Sequence, residues 1–288
     1  MQVSRFPDVE PRPRRVAVGT FDGVHLGHQA VISGADSVLT FDPHPSAVVS
    51  PQHATKLLTS LEVKTELIAQ LGVRQLIVIP FDRDFAARSA EEFIDQVLVG
   101  ALQATHVSVG ENFRFGHQAR GDAAMLGDDG RFQTRVEPLI EVEGEVVSSS
   151  HIRALVQAGE VATAARFLGG PFQFRGEVVH GDARGRHLGY PTANLVPPDE
   201  LVCPGHGVYA GLADGRPAAV NVGVRPTFRT GRGELIEAYL IDFDGDLYGQ
   251  PLHLEFLERL RGERRFDTPA ALVEQMARDV EQARRVAR

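Results

Sequence analysis

Residues 15–28 read RVAVGTFDGVHLGH. The first six, RVAVGT, hold Val16, Ala17 and Val18 in an uncharged run, the composition of a strand buried on both faces. Glycine-punctuated turn residues follow, and a helix is expected to begin near Gly27. A strand that turns directly into a helix opens a βαβ unit, so this stretch sets an α/β layer with a parallel sheet. Such a junction exposes backbone N–H groups and the positive end of a helix dipole, which together form an anion site. His25 and His28, three residues apart, project from one side of it and can donate hydrogen bonds to phosphate oxygens. Gly27 lets a ligand approach the backbone closely. A bare histidine pair at this spacing is equally a helix cap. Zinc is disfavoured, because no third His, Cys or carboxylate follows at a ligand spacing.

Working outward, residues 37–41 (SVLTF), 75–79 (QLIVI), 106–109 and 135–138 read as further strands of the same sheet. Residues 61–71 have helical spacing, with Leu61, Leu67, Ile68 and Leu71 on one side. Residues 90–99 read as a helix with Phe93, Ile94, Val97 and Leu98 inward. Only ten residues, 29–38, carry the chain back along the sheet, so the helix after His28 is expected to be short or its packing unusual. Residues 1–15 carry four arginines among prolines and acids without apolar periodicity, which predicts a frayed arm. A helical pair over 149–158 and 161–168 precedes a change of pattern at Gly169-Gly170-Pro171. Short alternating strands follow at 173–179, 208–212, 218–222, 235–241 and 252–260, the signature of an antiparallel barrel or sandwich. Thr268-Pro269 then forms an N-cap and first helical residue, before a stripe of Leu272, Met276 and Val280. The domains are therefore drawn as 1–170 and 171–288.

Of the 288 residues 43% are hydrophobic and 24% charged, an ordinary globular balance. The formal charge of −8 disfavours a nucleic-acid backbone as partner. Cys203 is the only cysteine, which excludes an internal disulfide and fits a reducing compartment. No window resembles a signal peptide or approaches the roughly 20 apolar residues of a membrane span. The expectation is a cytoplasmic enzyme without membrane or nucleic-acid partner, a monomer or weak homo-oligomer.

Residues 148–153, SSSHIR, combine hydroxyls at a helix start with a guanidinium one turn on, an anion clamp or a plain cap with a surface arginine. Residues 180–194, HGDARGRHLGYPTAN, are rich in glycine and carry Arg184 and Arg186. Composition alone makes that segment a basic surface loop, and Glu237 alone reads as an exposed charge on an edge strand. No Walker A pattern is present.

In the order in which it occurs, GTFDGVHLGH resembles the first motif of the bacterial bifunctional riboflavin kinase/FMN adenylyltransferase (FAD synthetase) family. FDPHP (41–45), GENFRFG (110–116), Gly121-Asp122 and SSSHIR continue the resemblance, with Ser150 where the family usually has Thr. The PTAN-containing loop, NVGVRPTF (221–228) and EAYLIDFDGDLYG (237–249) extend it to the second half. The resemblance implies an α/β Rossmann-like nucleotidyltransferase domain followed by an antiparallel β-barrel flavokinase domain. It implies ATP as substrate, Mg²⁺, and the conversion of riboflavin to FMN and FMN to FAD. At the first site it assigns His25, His28 and Arg153 to catalysis and Gly19, Phe21, Gly27, Ser149 and Ser150 to ATP. Asn112, Phe113 and Asp122 lie toward the flavin. At the second site it assigns Glu237 to catalysis, Gly181, Arg184, Arg186, Thr192 and Asn194 to ATP, and Thr192 and Asn194 also to Mg²⁺. Asn221 and Arg225 are the expected flavin contacts there. The competing readings are a riboflavin kinase with a lost adenylyltransferase half, motivated by the short helix, and a noncatalytic flavin- or nucleotide-binding regulator.

Overall fold

The computed structural model describes residues 1–181, 188–225 and 233–288. The chain forms two compact units, Met1–Lys56 with Leu61–Ser149, and Leu57–Ser60 with Ser150–Arg288.

In the first unit six strands form a parallel sheet: β1 (Gln2–Arg5), β2 (Arg14–Val18), β3 (Ser37–Asp42), β4 (Gln75–Pro80), β5 (Ala104–Gly110) and β6 (Gln133–Glu137). Their order is β1-β4-β3-β2-β5-β6. Successive side chains serve opposite faces. Leu39, Ile77 and Ile79 join Phe93, Val97 and Leu98 in one core, while Val38, Leu76 and Val78 join Ile32 and Ile68 in the other. Two covered faces explain why the runs 38–41 and 76–79 carry no charge. Each such buried side chain contributes about 1.5–3 kcal/mol. The chain winds from β2 outward to β4, then returns to β5 on the other side. Such a reversal leaves a crevice at the carboxyl ends of the two central strands. The segments after β2 and β5 are the two that carry motifs.

The N-terminal segment departs from the expected frayed arm. β1 pairs with β4 in register Gln2↔Gln75 to Arg5↔Val78. Arg14 is 1% exposed and donates to Gln75 Oε1 (3.2 Å) and to the carbonyls of Arg12 (3.0 Å) and Leu102 (3.1 Å). A four-residue edge strand shows no periodicity, and the segment after it is held both by Phe6 and Val9 on the core and by the Arg14 guanidinium donating to Glu10 O.

The helix after the motif, α1 (Leu26–Ile32), is as short as expected, and Gly34 at φ +74° turns the chain into β3. Its C-terminal carbonyls are collected from outside: Arg135 of β6 donates to Ala30 (3.0 Å) and Ser33 (2.6 Å), and Ser108 Oγ to Val31 (2.7 Å). A cation there also complements the helix dipole. A later helix, α2 (Leu61–Gln70), buries Val63, Lys64 and Ile68. The expected stripe is corrected at two places: Leu71 lies beyond the helix and is 40% exposed, and Lys64 points inward. Phe93, Ile94, Val97 and Leu98 are buried as expected, although the segment Phe93–Ala101 is π-wound.

The second unit contains helix α3 (Ser149–Ala158) apart from its first residue, helix α4 (Val161–Leu168) and strands β7 (Phe172–Glu177), β8 (Ala193–Leu195), β9 (Gly207–Ala213), β10 (Arg216–Arg225), β11 (Gly233–Leu240) and β12 (Pro251–Arg261). These strands are antiparallel, in the order β7-β12-β9-β10-β11-β8. Val179, just beyond β7, bridges to Asn194 of β8 and donates to its carbonyl at 2.8 Å, so the sheet curls into a nearly closed barrel. β8 is a strand that sequence pattern did not reveal. By packing, α4 lies on β7 and β12, so the helical pair groups with the barrel, whereas the sequence reading drew its boundary after Gly170.

The last helix, α5 (Pro269–Val286), starts as expected, with Thr268 Oγ1 accepting from Ala271 N. Its inward residues are Asp279 and Ala283, while Leu272, Met276 and Val280 are only half-buried. The physical reason is an ion pair: Arg261 at the end of β12 grips Asp279 at 2.7 Å, with the Asp279 side chain 6% exposed.

Candidate active sites

The first site begins where β2 ends. Phe21 and Val24 adopt left-handed backbone at φ 49° and 43°, which costs about 1–3 kcal/mol each for residues of this kind. The carbonyls of the turn are tied down one by one. Thr20 O accepts from Lys64 Nζ (2.8 Å) and Thr40 Oγ1 (3.1 Å), and Asp22 O from Ser149 Oγ (2.9 Å). Val24 O accepts from Gln29 Nε2 (3.0 Å). His25 is the N-cap of α1, its Nδ1 accepting from His28 N at 3.3 Å, which places its ring proton on Nε2. The two imidazoles stack at 3.5 Å between centroids, and Phe21 meets the His28 ring edge-on at 5.4 Å. Gly27 lies under the His25 ring, which a Cβ would approach to 3.3 Å. Gly19 faces the Phe21 ring.

Both histidines are neutral near pH 7. Burial holds His25 down at about 4. Burial first, then the His25 ring and the Lys64 ammonium, push His28 well below its ordinary value. His28 Nδ1 is buried without a hydrogen-bond partner among the described residues. A stacked neutral pair with an unsatisfied nitrogen is arranged to meet a ligand rather than to cap a helix alone. Lys64 and Asp22, 5% and 2% exposed, were not found by sequence reasoning. The one available signal was a lysine inside an otherwise apolar helical stripe.

Ser149 reaches this turn directly. Ser150 and Arg153 follow on the first turns of α3, which groups with the second unit. After β5, Phe113 N donates to Gly110 O (3.0 Å), closing a turn that carries Asn112 at the surface. Phe113 stacks on Phe115 at 5.6 Å. Asp122 is engaged structurally, accepting from Met125 N (2.9 Å) as an N-cap and pairing with Arg114 (3.2 Å).

The second site is built by register. β8, β11 and β10 lie side by side, and their pairing aligns Asn194↔Glu237 and Asn221↔Glu237. Residues directly opposite share one face, so Asn194, Glu237 and Asn221 form a single polar row. Asn221 Nδ2 donates to Glu237 Oε2 at 3.1 Å. Asn194 is 5% exposed, and its Nδ2 donates to Thr192 O at 3.3 Å. Gly181 packs so closely on this amide that a Cβ would stand 2.5 Å from Asn194 Nδ2. His180 stacks on Tyr248 at 4.0 Å beside it. Arg184 and Arg186 lie outside the described residues, and Arg225 is described by its backbone alone, opposite Gly233. Among the described residues no group of three or more His, Cys, Asp or Glu is placed to hold a metal ion.

Two family models match the chain, FAD synthetase over residues 8–151 and riboflavin kinase over residues 168–287. A bifunctional riboflavin kinase/FMN adenylyltransferase from Bacillus subtilis is 39% identical over 288 residues, covering 93% of this chain and 90% of its own. One from Escherichia coli is 36% identical over 282 residues, covering 92% and 90%. A crystal structure of a Streptococcus pneumoniae chain, described as a macrolide-efflux protein, matches with a TM-score of 0.88 at 30% identity over 99% of both chains. In the present chain no described helix is long and apolar enough to cross a membrane.

Proposed function

Because the chain belongs to the bifunctional riboflavin kinase/FMN adenylyltransferase family, we propose that it phosphorylates riboflavin with ATP at the second site and adenylylates FMN with another ATP at the first. The observation that carries the kinase assignment is the Asn194–Glu237–Asn221 row. Glu237 accepts the proton of the ribityl 5′-hydroxyl as its oxygen bonds to the γ-phosphorus, and the bond to the bridging oxygen of ADP breaks. Asn221, expected at the flavin, holds one carboxylate oxygen of that base, and the other is left to face the hydroxyl. Asn194 and Thr192 offer neutral oxygens, a donor set that suits Mg²⁺ when ATP phosphates and water complete its shell. The metal, when bound, neutralises charge developing on the phosphates. Arg184, Arg186 and Gly181 belong to the nucleotide side and Arg225 to the flavin side.

At the first site an FMN phosphate oxygen bonds to the α-phosphorus of ATP while the bond to pyrophosphate breaks. The protein's part is positioning and charge stabilisation. Neutral His25 and His28 serve as N–H donors, and their low proton affinity keeps them so across the working pH range. Ser149, Ser150 and Arg153 hold ATP phosphates, and Asn112, Phe113 and Asp122 line the flavin side. A net charge of −8 and a lone Cys203 support a cytoplasmic enzyme of small molecules, without nucleic-acid or membrane partners, as a monomer or weak homo-oligomer.

The test is to incubate the purified chain with riboflavin, ATP and Mg²⁺ and to separate the flavins by chromatography. FMN followed by FAD is expected. FMN alone would remove the adenylyl step, unchanged riboflavin would remove both, and chelation of Mg²⁺ should stop both.

A further inference from the structure

Helix α2 carries a cation into the core of the first unit. Lys64 is 5% exposed, and its Nζ reaches across to the Thr20 carbonyl at 2.8 Å. Burial opposes its charge, while the Asp22 and Asp42 carboxylates favour it. Enclosing an ammonium costs several kcal/mol, whereas a methionine would fill the same stem space without that cost. The contact falls at a telling place. Thr20 is the last residue before Phe21, where the backbone turns left-handed, and Val24 repeats that turn just ahead of His25. Phe21 in turn abuts the His28 ring. A hold on the Thr20 carbonyl is therefore passed through one peptide to Phe21 and from its ring to His28.

We propose that Lys64 is a positioning residue for adenylyl transfer: by fixing the Thr20 carbonyl, its ammonium keeps the turn 20–24 in the conformation that places the stacked His25 and His28. It touches no substrate atom. The proposal rests on the assignment of adenylyl transfer to this site, so His28→Ala is measured beside it.

The experiment uses the full chain with FMN, ATP and Mg²⁺, reading FAD by chromatography, with riboflavin phosphorylation as the internal control. Lys64→Met should lower kcat for FAD formation by about 10²-fold, the scale of a 1 Å misplacement. The KM values for FMN and ATP should stay within about threefold, and the ring ¹⁵N signals of His25 and His28 should move. FMN formation should be unchanged, because the row that carries it lies in the other unit. A folded Lys64→Met protein with near wild-type kcat overturns the proposal if His28→Ala abolishes FAD formation. If both variants retain it, the site assignment fails and takes the proposal with it. A Lys64→Met chain whose first unit melts or is cleaved under native conditions also overturns it, since Lys64 would then be a fold determinant.

Discussion

In the first unit the stacked histidines sit within ten consecutive residues, 19–28, with Lys64 as a support from outside the turn; in the second, Asn194, Asn221 and Glu237 come from three different strands. At the first site His25 is only 6% exposed and the two histidines are uncharged. The second is a half-buried polar row with a carboxylate at its centre. A turn can hold groups in strained, water-poor positions because its backbone is tied atom by atom. A row across strands gains its precision from register, which one residue of slip would destroy. The two solutions suit their tasks. Adenylyl transfer asks for donors around a phosphate, whereas phosphorylation of an alcohol asks for a base beside the hydroxyl.

The widest separation between the two regions is expected from Glu237→Ala. Loss of the base should lower FMN formation by about 10³-fold, while FAD formation from supplied FMN is retained; both are read from one chromatogram. Gly181→Ala should follow. A Cβ 2.5 Å from Asn194 Nδ2 must displace that amide, so FMN formation should drop by about 10–100-fold, and more Mg²⁺ should be needed for half-maximal rate. If the Mg²⁺ requirement stays fixed, Asn194 is not a metal ligand. Asn221→Leu removes one hydrogen bond to the carboxylate. About 1.5 kcal/mol, or roughly tenfold in kcat for FMN, is the expected cost.

The smallest effect is one of stability, and it sets the histidine site apart. His25 has a folded pKa of about 4 against an ordinary 6.5. Between those values the unfolded chain takes up a proton that the folded one refuses. The stability this group contributes is full above pH 6.5 and is lost as the pH falls toward 4. His28 acts in the same direction. Acid melts followed separately for each unit should therefore show the first unit weakening earlier over that window. His25→Gln should flatten its slope.

This contrast also governs what the sequence could disclose. The β2 strand and the turn after it are consecutive, so their chemistry was legible in RVAVGTFDGVHLGH. The core strands were legible for the same local reason, an uncharged run bounded by turn residues. What escaped was non-local. β8 is three residues long, and nothing in PTAN states that Asn194 will stand opposite Glu237. Lys64 escaped although it falls on an apolar stripe, since only the folded chain supplies the Thr20 carbonyl for it. Asp279 escaped likewise, its partner Arg261 lying on another element. β1 lacked any periodicity and was hidden behind Arg14. The resemblance to a family carried the roles of Glu237 and Asn194 further than composition did, but it did not reveal that Asn221 grips the carboxylate.

The Val179–Asn194 bridge joins the two edge strands of the barrel, and the same Asn194 is the residue we propose for nucleotide and metal. The seam of the barrel and the wall of the site are thus one strand. Thermodynamic linkage follows: any ligand that requires Asn194 in place binds only the closed form and shifts the opening equilibrium by RT ln(1 + [L]/Kd). At a hundredfold excess over Kd that amounts to about 2.7 kcal/mol. The substrate itself becomes the clasp of the barrel, tightest when the cell is rich in ATP.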